Sequence, residues 1–293
     1  MKHMDYLIIG GGAAGTSAAE TIRQKDANGS IVIISDEPYR FYSRIMLSKS
    51  NFFLEKIPFD QVWLKKETWY DEQNIQLMTG KQVVALDVKA KTVTLNSDEV
   101  LQFEKLLLAP GVCVRRWDIP GSEKKGVHYL RTLDDARAVI AAVKTTKRAV
   151  SIGSGFVSFE MCEMLRHAGI DVTLVMREPY YWYPLLDEAS GRIIEKNLES
   201  GGVHIMRNAE VAEVLGTNAV EGVVLKDGSR VSCEMIIVGI GTCCPFDWVR
   251  AAGIEMNRGI LADDHLATNI SSIWAAGDAA EFNDVVLNER IQL

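Results

Sequence analysis

Two glycine-rich turns carry the chemistry that is most legible in this chain. The first lies in YLIIGGGAAGTSAAE, with Gly10, Gly12 and Gly15 in the glycine places of a G-x-G-x-x-G pattern. The second lies in RAVSIGSGFVSFE, with Gly153 and Gly155 in the first two of those places and Ser158 where a third glycine is expected. The first glycine permits the tight turn from strand to helix, the second lets backbone approach a pyrophosphate, and the third lets helix pack closely on strand. The N–H groups that open the helix, at Ala13 and Ala14 in one motif and at Phe156 and Val157 in the other, then meet the phosphate charge. Each turn reads as a dinucleotide site. Taken singly, either would suit a structural strand-to-helix turn equally well, so the weight rests on what surrounds them.

The surroundings repeat. A second strand follows each motif and ends in charged residues, IVIISDE after the first and DVTLVMRE after the second. Antiparallel hairpin patterns come next, KQVVALDVKAKTVTL and AEVLGTNAVEGVVLKDGSRVSC, and each half closes with an apolar strand running into glycine, KLLLAPG and MIIVGIG. A repeat this long indicates duplicated domains. The expected elements are strand 5–9, helix 13–25, strand 31–34, an irregular segment 38–58 and a polar helix over 60–73. In the second half they are strand 148–152, helix 156–168, strand 171–175, an aromatic loop PYYWYP and helix 187–200. Alternating strands and helices predict an α/β fold. It comprises two Rossmann-like dinucleotide-binding domains, each a three-layer parallel sheet with an antiparallel hairpin insertion, with ligands at the carboxyl ends of the strands. One domain is expected to comprise residues 1–113 and 243–293, with the other, 114–242, inserted between. The stretch 111–128, holding Ile119, Pro120 and Gly121, reads as a linker.

Bulk properties narrow the function classes. A hydrophobic content of 47% and a charged content of 24% suit a soluble globular protein. No apolar run reaches the roughly 18 residues of a membrane span, and the first apolar run enters a glycine turn where a signal peptide would have a cleavage site. A cytoplasmic protein without membrane partners is expected. A net charge of −7 argues against nucleic acid. Five dispersed histidines and five scattered cysteines without a C-x-x-C pair predict no metal site and no disulfide framework, and the adjacent Cys243 and Cys244 read as packing residues. Nothing in the chain specifies an oligomeric state.

Four further segments, EPYRFYSRIMLSK, GVHYLRTLDDA, AGIEMNRGI and IWAAGDAAE, make the chain resemble a known family. From about Asp5 to Glu281 it is similar to the FAD-dependent pyridine nucleotide-disulfide oxidoreductase superfamily, of glutathione reductase-like fold, in its rubredoxin reductase, ferredoxin reductase and nitrite reductase-like branch. The resemblance implies that Gly10, Gly12, Ala13, Ala14 and Gly15 hold the ADP half of FAD, and that Glu37, with Asp36 beside it, binds the adenosine ribose. Val83 would meet the adenine through its backbone, and Arg44 and Lys49 would approach the pyrophosphate and the isoalloxazine ring. Gly277 and Asp278 would bind the ribityl chain, with Ala109, Gly111 and Arg131 completing the flavin contacts. Gly153, Gly155, Phe156, Val157, Arg177 and Gly241 would hold NADH or NADPH. Glu160 would pair with Lys49 beside the flavin, and these two are the catalytic candidates. The activity implied is hydride transfer from nicotinamide to FAD, then electron transfer to a small redox protein such as rubredoxin or ferredoxin. The alternatives are an NAD(P)H oxidase, the flavin module of a nitrite reductase, or an NADH-sensing flavoprotein without turnover.

The chain also departs from the family pattern. No cysteine precedes Cys113, so the flavin-side thiolate that disulfide exchange requires has no candidate, and Ser43 and Arg44 occupy that neighbourhood. After DVTLV the chain reads Met176, Arg177, Glu178; the arginine suits a 2′-phosphate, the glutamate suits a ribose, and relatives tilt the expectation to NADH. Pro110 replaces a threonine of the pattern. Relatives continue for about a hundred residues, a usual domain size, so a C-terminal interface domain is expected to be missing here. With it goes a helix whose dipole would stabilise reduced flavin, and flavin retention would weaken accordingly.

Overall fold

The computed structural model describes residues 2–56 and 58–292. The chain divides into two compact units, one formed by Met1–Tyr42, Trp63–Cys113 and Cys243–Leu293, the other by Ser43–Val62 and Val114–Thr242.

In the first unit the parallel strands β1 (Lys2–Ile9), β2 (Ile31–Ile34) and β3 (Ile75–Met78) form one side of the sheet. The long strand β6 (Val100–Leu108) lies on the other side of β1. Its end pairs in parallel with Ile273–Ala275, and its beginning pairs with the antiparallel hairpin β4 (Val83–Asp87) and β5 (Thr92–Leu95). Side chains alternate between two cores, as strand geometry requires. Leu7, Ile9, Val32 and Ile34 pack with Val83, Leu86 and Val93. Ile8, Ile31 and Ile33 pack with Ala19 of helix α1 (Ala13–Lys25). All four β2 residues are buried, the signature of a parallel strand covered on both faces. The alanine-rich sequence favours α1, and Arg23 ends it by donating to the carbonyls of Asp26, Gly29, Gln73 and Asn74, which also ties the helix to the approach to β3.

The second unit repeats the plan. Its five parallel strands stand in the order β10 (Val203–Met206), β9 (Asp171–Val175), β8 (Arg148–Ile152), β14 (Met235–Val238), β7 (Val127–His128). One face carries the antiparallel meander β11 (Val211–Leu215), β12 (Gly222–Leu225), β13 (Arg230–Ser232), whose Val211, Val214, Val223 and Leu225 pack on Val150, Ile152 and Val175. Its longer helices are α2 (Leu133–Val143), α3 (Phe156–His167) and α4 (Glu188–Ser200).

Three expectations are corrected. The polar helix over 60–73 is instead two single turns, Phe59–Val62 and Trp69–Glu72. Between them Trp63 bridges to Tyr42, and the Leu64 N–H donates to the Phe41 carbonyl, so aromatic packing and backbone pairing hold the middle extended. The stretch 111–128 is no free linker: Trp117 and Ile119 pack on the meander core, and the Pro120 carbonyl accepts from the Val214 N–H. Residues 43–62, which the sequence assigns to the first domain, fold with the second unit, where Lys144 pairs with Glu55 and Arg137 lies over the Phe59 ring.

Candidate nucleotide sites

In the first unit β1 ends at Ile9 and the chain turns at Gly10, whose φ is +113° and whose N–H donates to the Ile34 carbonyl at 2.8 Å. A Cβ at Gly10 would stand 1.9 Å from the Ala109 carbonyl oxygen, and one at Gly15 would stand 1.9 Å from the Gly10 carbonyl oxygen. These two glycines are required by the protein's own packing. Gly12 differs: a Cβ there would meet nothing within 4 Å. Gly12 is the N-cap of α1, with no side-chain cap and no acid in the first turn. Helix α2, by contrast, has a Thr132–Asp135 capping box, and α4 is capped by Asp187. The helix that follows the glycine turn thus presents uncapped N–H groups, from Ala13 onward, to open space.

Other candidates gather around that end. The Ala109 N–H donates to the Ile9 carbonyl at 2.8 Å, and Gly111 turns with φ +72°. Gly277, with φ +70°, approaches so closely that a Cβ would stand 3.0 Å from Ala14 Cβ, which brings the Gly277–Asp278 turn against the first turn of α1. The Asp278 carbonyl accepts from Gln292 Nε2 at 3.0 Å. Past β2, Ser35 is buried, Asp36 exposed and Glu37 half-buried, with the Tyr42 hydroxyl donating to Glu37 Oε2 at 2.6 Å. The Gly80 and Lys81 N–H groups donate to the Glu37 and Ser35 carbonyls, so the turn leading into Val83 runs alongside the acid. The Val83 side chain is 5% exposed and belongs to the core, leaving its backbone for any ligand contact. An uncapped helix end with a carboxylate at the neighbouring strand end fits the ADP half of FAD.

The second unit repeats the device. Gly153 has φ +108°, and a Cβ there would stand 2.2 Å from the Gly239 carbonyl oxygen. Gly155 caps α3 without a side chain, has no acid in the first turn after it, and would leave a Cβ in open space. Ser158 is fully buried and donates to the Ile152 carbonyl at 2.9 Å. A cleft of about 790 Å³ opens at this turn, lined by Gly153, Gly155, Arg177, Glu178, Trp182 and Gly241. Met176 is buried away from it. Arg177, 80% exposed, donates from Nε to Glu178 Oε1 at 2.9 Å, so the two residues that bear on nucleotide choice are paired with each other. Phe156 extends from the first turn of α3, its ring 4.6 Å from that of Trp182, and Val157 follows it.

Buried chemistry holds the aromatic loop. The Tyr181 hydroxyl donates to the Gly155 carbonyl at 2.6 Å, and burial pushes its pKa above the usual phenol value. The Tyr181 N–H donates to Glu195, which is buried and also accepts from Arg192 and Arg207 at 2.8 Å each. Burial opposes ionisation of Glu195, but the hydrogen bonds from Arg192, Arg207 and the Tyr181 amide outweigh it and hold the carboxyl below its ordinary range.

Also within this unit, Lys49 Nζ and Ser48 Oγ donate to the two carboxylate oxygens of Glu160 on α3. Arg44 donates to the Arg131 carbonyl at 2.6 Å, and the Arg131 N–H donates to Asp135 of the capping box at 3.0 Å. Arg44, Lys49, Arg131 and Glu160 therefore all fold with the second unit. Ser48, Tyr181 and Gly239 lie in segments that the sequence singles out, but nothing there marks them individually, and Glu195 has no motif signal at all. No disulfide joins the described cysteines; burial pushes the thiols of Cys162 and Cys233 up to about 12. No cluster of metal-ligating side chains occurs among the described residues, and none of their helices is long and apolar enough to cross a membrane.

Residues 4–293 match the pyridine nucleotide-disulphide oxidoreductase family. The chain belongs to that family. Its FAD and NAD(P)H cofactors agree with the two uncapped turns. Rubredoxin-NAD(+) reductase of Pseudomonas putida is 31% identical over 99% of this chain and 75% of its own length. Nitrite reductase [NAD(P)H] of Bacillus subtilis is 32% identical over 97% of this chain but only 35% of its own length, so the chain spans about a third of that relative. Among solved structures, a covalent putidaredoxin reductase–putidaredoxin complex matches with TM-score 0.95 and 26% identity, covering 100% of this chain and 72% of the matched one. A ferredoxin reductase from Rhodopseudomonas palustris matches with TM-score 0.93 and 28% identity, over 99% of this chain and 72% of its own.

Proposed function

We propose that this chain is a FAD-dependent NAD(P)H oxidoreductase that delivers electrons to a small redox protein of the rubredoxin or ferredoxin kind. The observation that carries the reading is the doubling of one device, an uncapped helix behind a glycine turn at the carboxyl end of a parallel sheet. FAD, when bound, supplies the hydride acceptor and the capacity to release electrons singly. The chain's own residues bind and orient. The opening of α1, from Gly10 to Gly15, takes the flavin pyrophosphate, Glu37 and Asp36 accept the ribose hydroxyl protons, the Val83 backbone meets adenine, and Ala109, Gly111, Gly277 and Asp278 hold the ribityl side. The opening of α3, from Gly153 to Val157, takes the nicotinamide pyrophosphate, with Arg177, Glu178 and Gly241 on its ribose side. Glu160 and Ser48 orient Lys49, whose ammonium stabilises negative charge developing on the ring, and Arg44 and Arg131 support that side. The relatives named for rubredoxin and ferredoxin support the acceptor class, and the lack of any cysteine before Cys113 argues against a flavin-side disulfide.

A second reading, a flavin module of a larger nitrite-reducing enzyme, is favoured by the match of 97% of this chain to a third of the nitrite reductase. Anaerobic stopped-flow mixing with NADH and with NADPH tests the shared chemistry through bleaching of the oxidised flavin band. Protein that cannot be reconstituted with FAD, or a flavin that neither nucleotide bleaches, overturns both readings. Rates with rubredoxin, ferredoxin and dioxygen as acceptors then separate the first reading from the second and from an oxidase.

A further inference from the structure

The chain leaves the first unit at Cys113 and re-enters it at Cys243. Cys113–Val114 pairs with Thr242–Cys243 as a two-stranded ribbon, and just beyond it the Arg115 N–H donates to the Gly241 carbonyl at 2.9 Å. With Val114 and Thr242 paired in the ribbon, the Arg115–Gly241 hydrogen bond fits an antiparallel ladder, and in that register Cys113 falls opposite Cys243. Directly opposed residues share a face of the ladder, with Cα atoms about 4.5–5.5 Å apart. A disulfide spans roughly 4.4–6.8 Å between Cα atoms, so the pair can bridge without backbone rearrangement. Cys113 is exposed and Cys243 half-buried, which gives a dissolved oxidant access to the first thiol.

Cys244 is differently employed. It lies just past the ribbon, where its Sγ accepts from Gln292 Nε2 at 3.1 Å, the same group that donates to the Asp278 carbonyl. Burial, opposed by the Gln292 hydrogen bond and reinforced by the nearby Cys243, Cys113 and Asp278, raises its pKa.

We propose that Cys113 and Cys243 form a reversible disulfide when the protein meets a peroxide. The Cys113 thiolate attacks one peroxide oxygen, forming an S–O bond and breaking the O–O bond, and the leaving oxygen departs as water. Cys243 then attacks the Cys113 sulfur, forming the S–S bond and expelling the second oxygen as water. Two thiols lose two electrons and two protons, and the peroxide gains both. A dithiol reductant reverses the step. This pair lies outside the segment where the family's flavin-side cysteines stand, and the reaction needs no bound flavin, so it stands or falls apart from the proposed electron transfer.

The test is hydrogen peroxide treatment of the purified protein, followed by denaturation, alkylation, non-reducing digestion and mass spectrometry. Alkylated cysteines should fall by two from the five in the chain, a peptide joining Cys113 to Cys243 should appear, and dithiothreitol should restore the original count. The Cys244→Ser variant should keep the link and Cys113→Ser should lose it. A link between Cys243 and Cys244, a link between two chains, or irreversible oxidation of Cys113 with Cys243 still alkylated would each overturn the proposal. Because the wild-type mapping decides the matter, a variant that folds poorly does not weaken the test.

Discussion

Substituting alanine at Gly153 and at Gly155, two residues apart, should produce opposite phenotypes. Gly153 has φ +108°, and a Cβ would stand 2.2 Å from the Gly239 carbonyl oxygen. The left-handed backbone alone costs an L-residue about 1–2 kcal/mol, and relieving the clash adds about 1–3 kcal/mol, as overpacking generally does. Taking about 3 kcal/mol as the sum, and roughly 2–4 °C per kcal/mol for a domain of this size, the melting temperature should fall by roughly 6–12 °C. Gly155 has φ −100° and ψ −177°, extended backbone that alanine adopts freely, and nothing lies within 4 Å of the new methyl. Gly155→Ala should therefore fold as wild type, or gain about 0.4–1 kcal/mol from a less flexible unfolded chain. Its methyl would stand where a pyrophosphate approaches α3. Loss of one hydrogen bond to a charged group, about 1.5–3 kcal/mol, corresponds to roughly 10- to 150-fold weaker NADH binding at about 1.4 kcal/mol per decade. Scanning calorimetry and isothermal titration with NADH read the two quantities separately. A Gly155→Ala protein that binds NADH like wild type would refute the assignment of this turn to the nucleotide, and a Gly153→Ala protein of unchanged stability would refute the packing account.

Four further outcomes are expected. Glu195→Ala should lower the stability of the second unit by about 1–3 kcal/mol, because it leaves the buried Tyr181 amide without its acceptor and Arg192 and Arg207 with only Glu188 and Glu199; thermal melts of the variant check this. Glu195 and the buried Glu281, which accepts from Asn257 and from the Arg258 and Gly259 amides against the cost of burial, both have depressed pKa values. The stability they contribute is complete above the unfolded value of about 4.3 and is lost as pH falls through the folded values. The two glutamates should thus leave melting temperature unchanged near neutrality and lower it below roughly pH 4.5, with the Glu281→Gln variant losing part of that acid dependence. Lys49→Met and Glu160→Gln should change stability by about 1 kcal/mol or less, as part-exposed ion pairs do; each should slow flavin reduction by roughly tenfold or more in stopped flow. Arg177→Ala should weaken NADPH binding while leaving NADH within about twofold, since only the 2′-phosphate needs a cation there; equal loss for both would place Arg177 elsewhere in the cleft's work.

What could be read from the chain follows from how locally each element is specified. Helix α1 and strand β2 have the predicted bounds because an alanine-rich run and a four-residue aliphatic run each state their own periodicity. Strands β3 and β10 went unseen, since four residues at a sheet edge carry no alternation that separates them from loop. Helix α2 was also missed, although Thr132 and Asp135 spell out its capping box. At the candidate sites, the glycines were legible because their spacing is a backbone requirement. Tyr181 and Glu195 were not, because the bonds that Tyr181 donates to Gly155 and to Glu195 join residues brought close only by tertiary packing. The grouping of Lys49 and Arg44 with the second unit likewise depends on partners more than eighty positions away.

The serine at 158 carries one last implication. A Cβ at Gly239 would stand 2.5 Å from Ser158 Oγ, so the hydroxyl fills the room that a side chain on the closing strand would need. In the first motif the bare residue sits on the helix, at Gly15; in the second the helix carries Ser158 and the bare residue that meets it is Gly239, on the closing strand's side. Drift at either position is consequently tied to the other: Ser158→Gly would open space for alanine at 239, whereas alanine at 239 beside an intact serine would push the helix off its sheet.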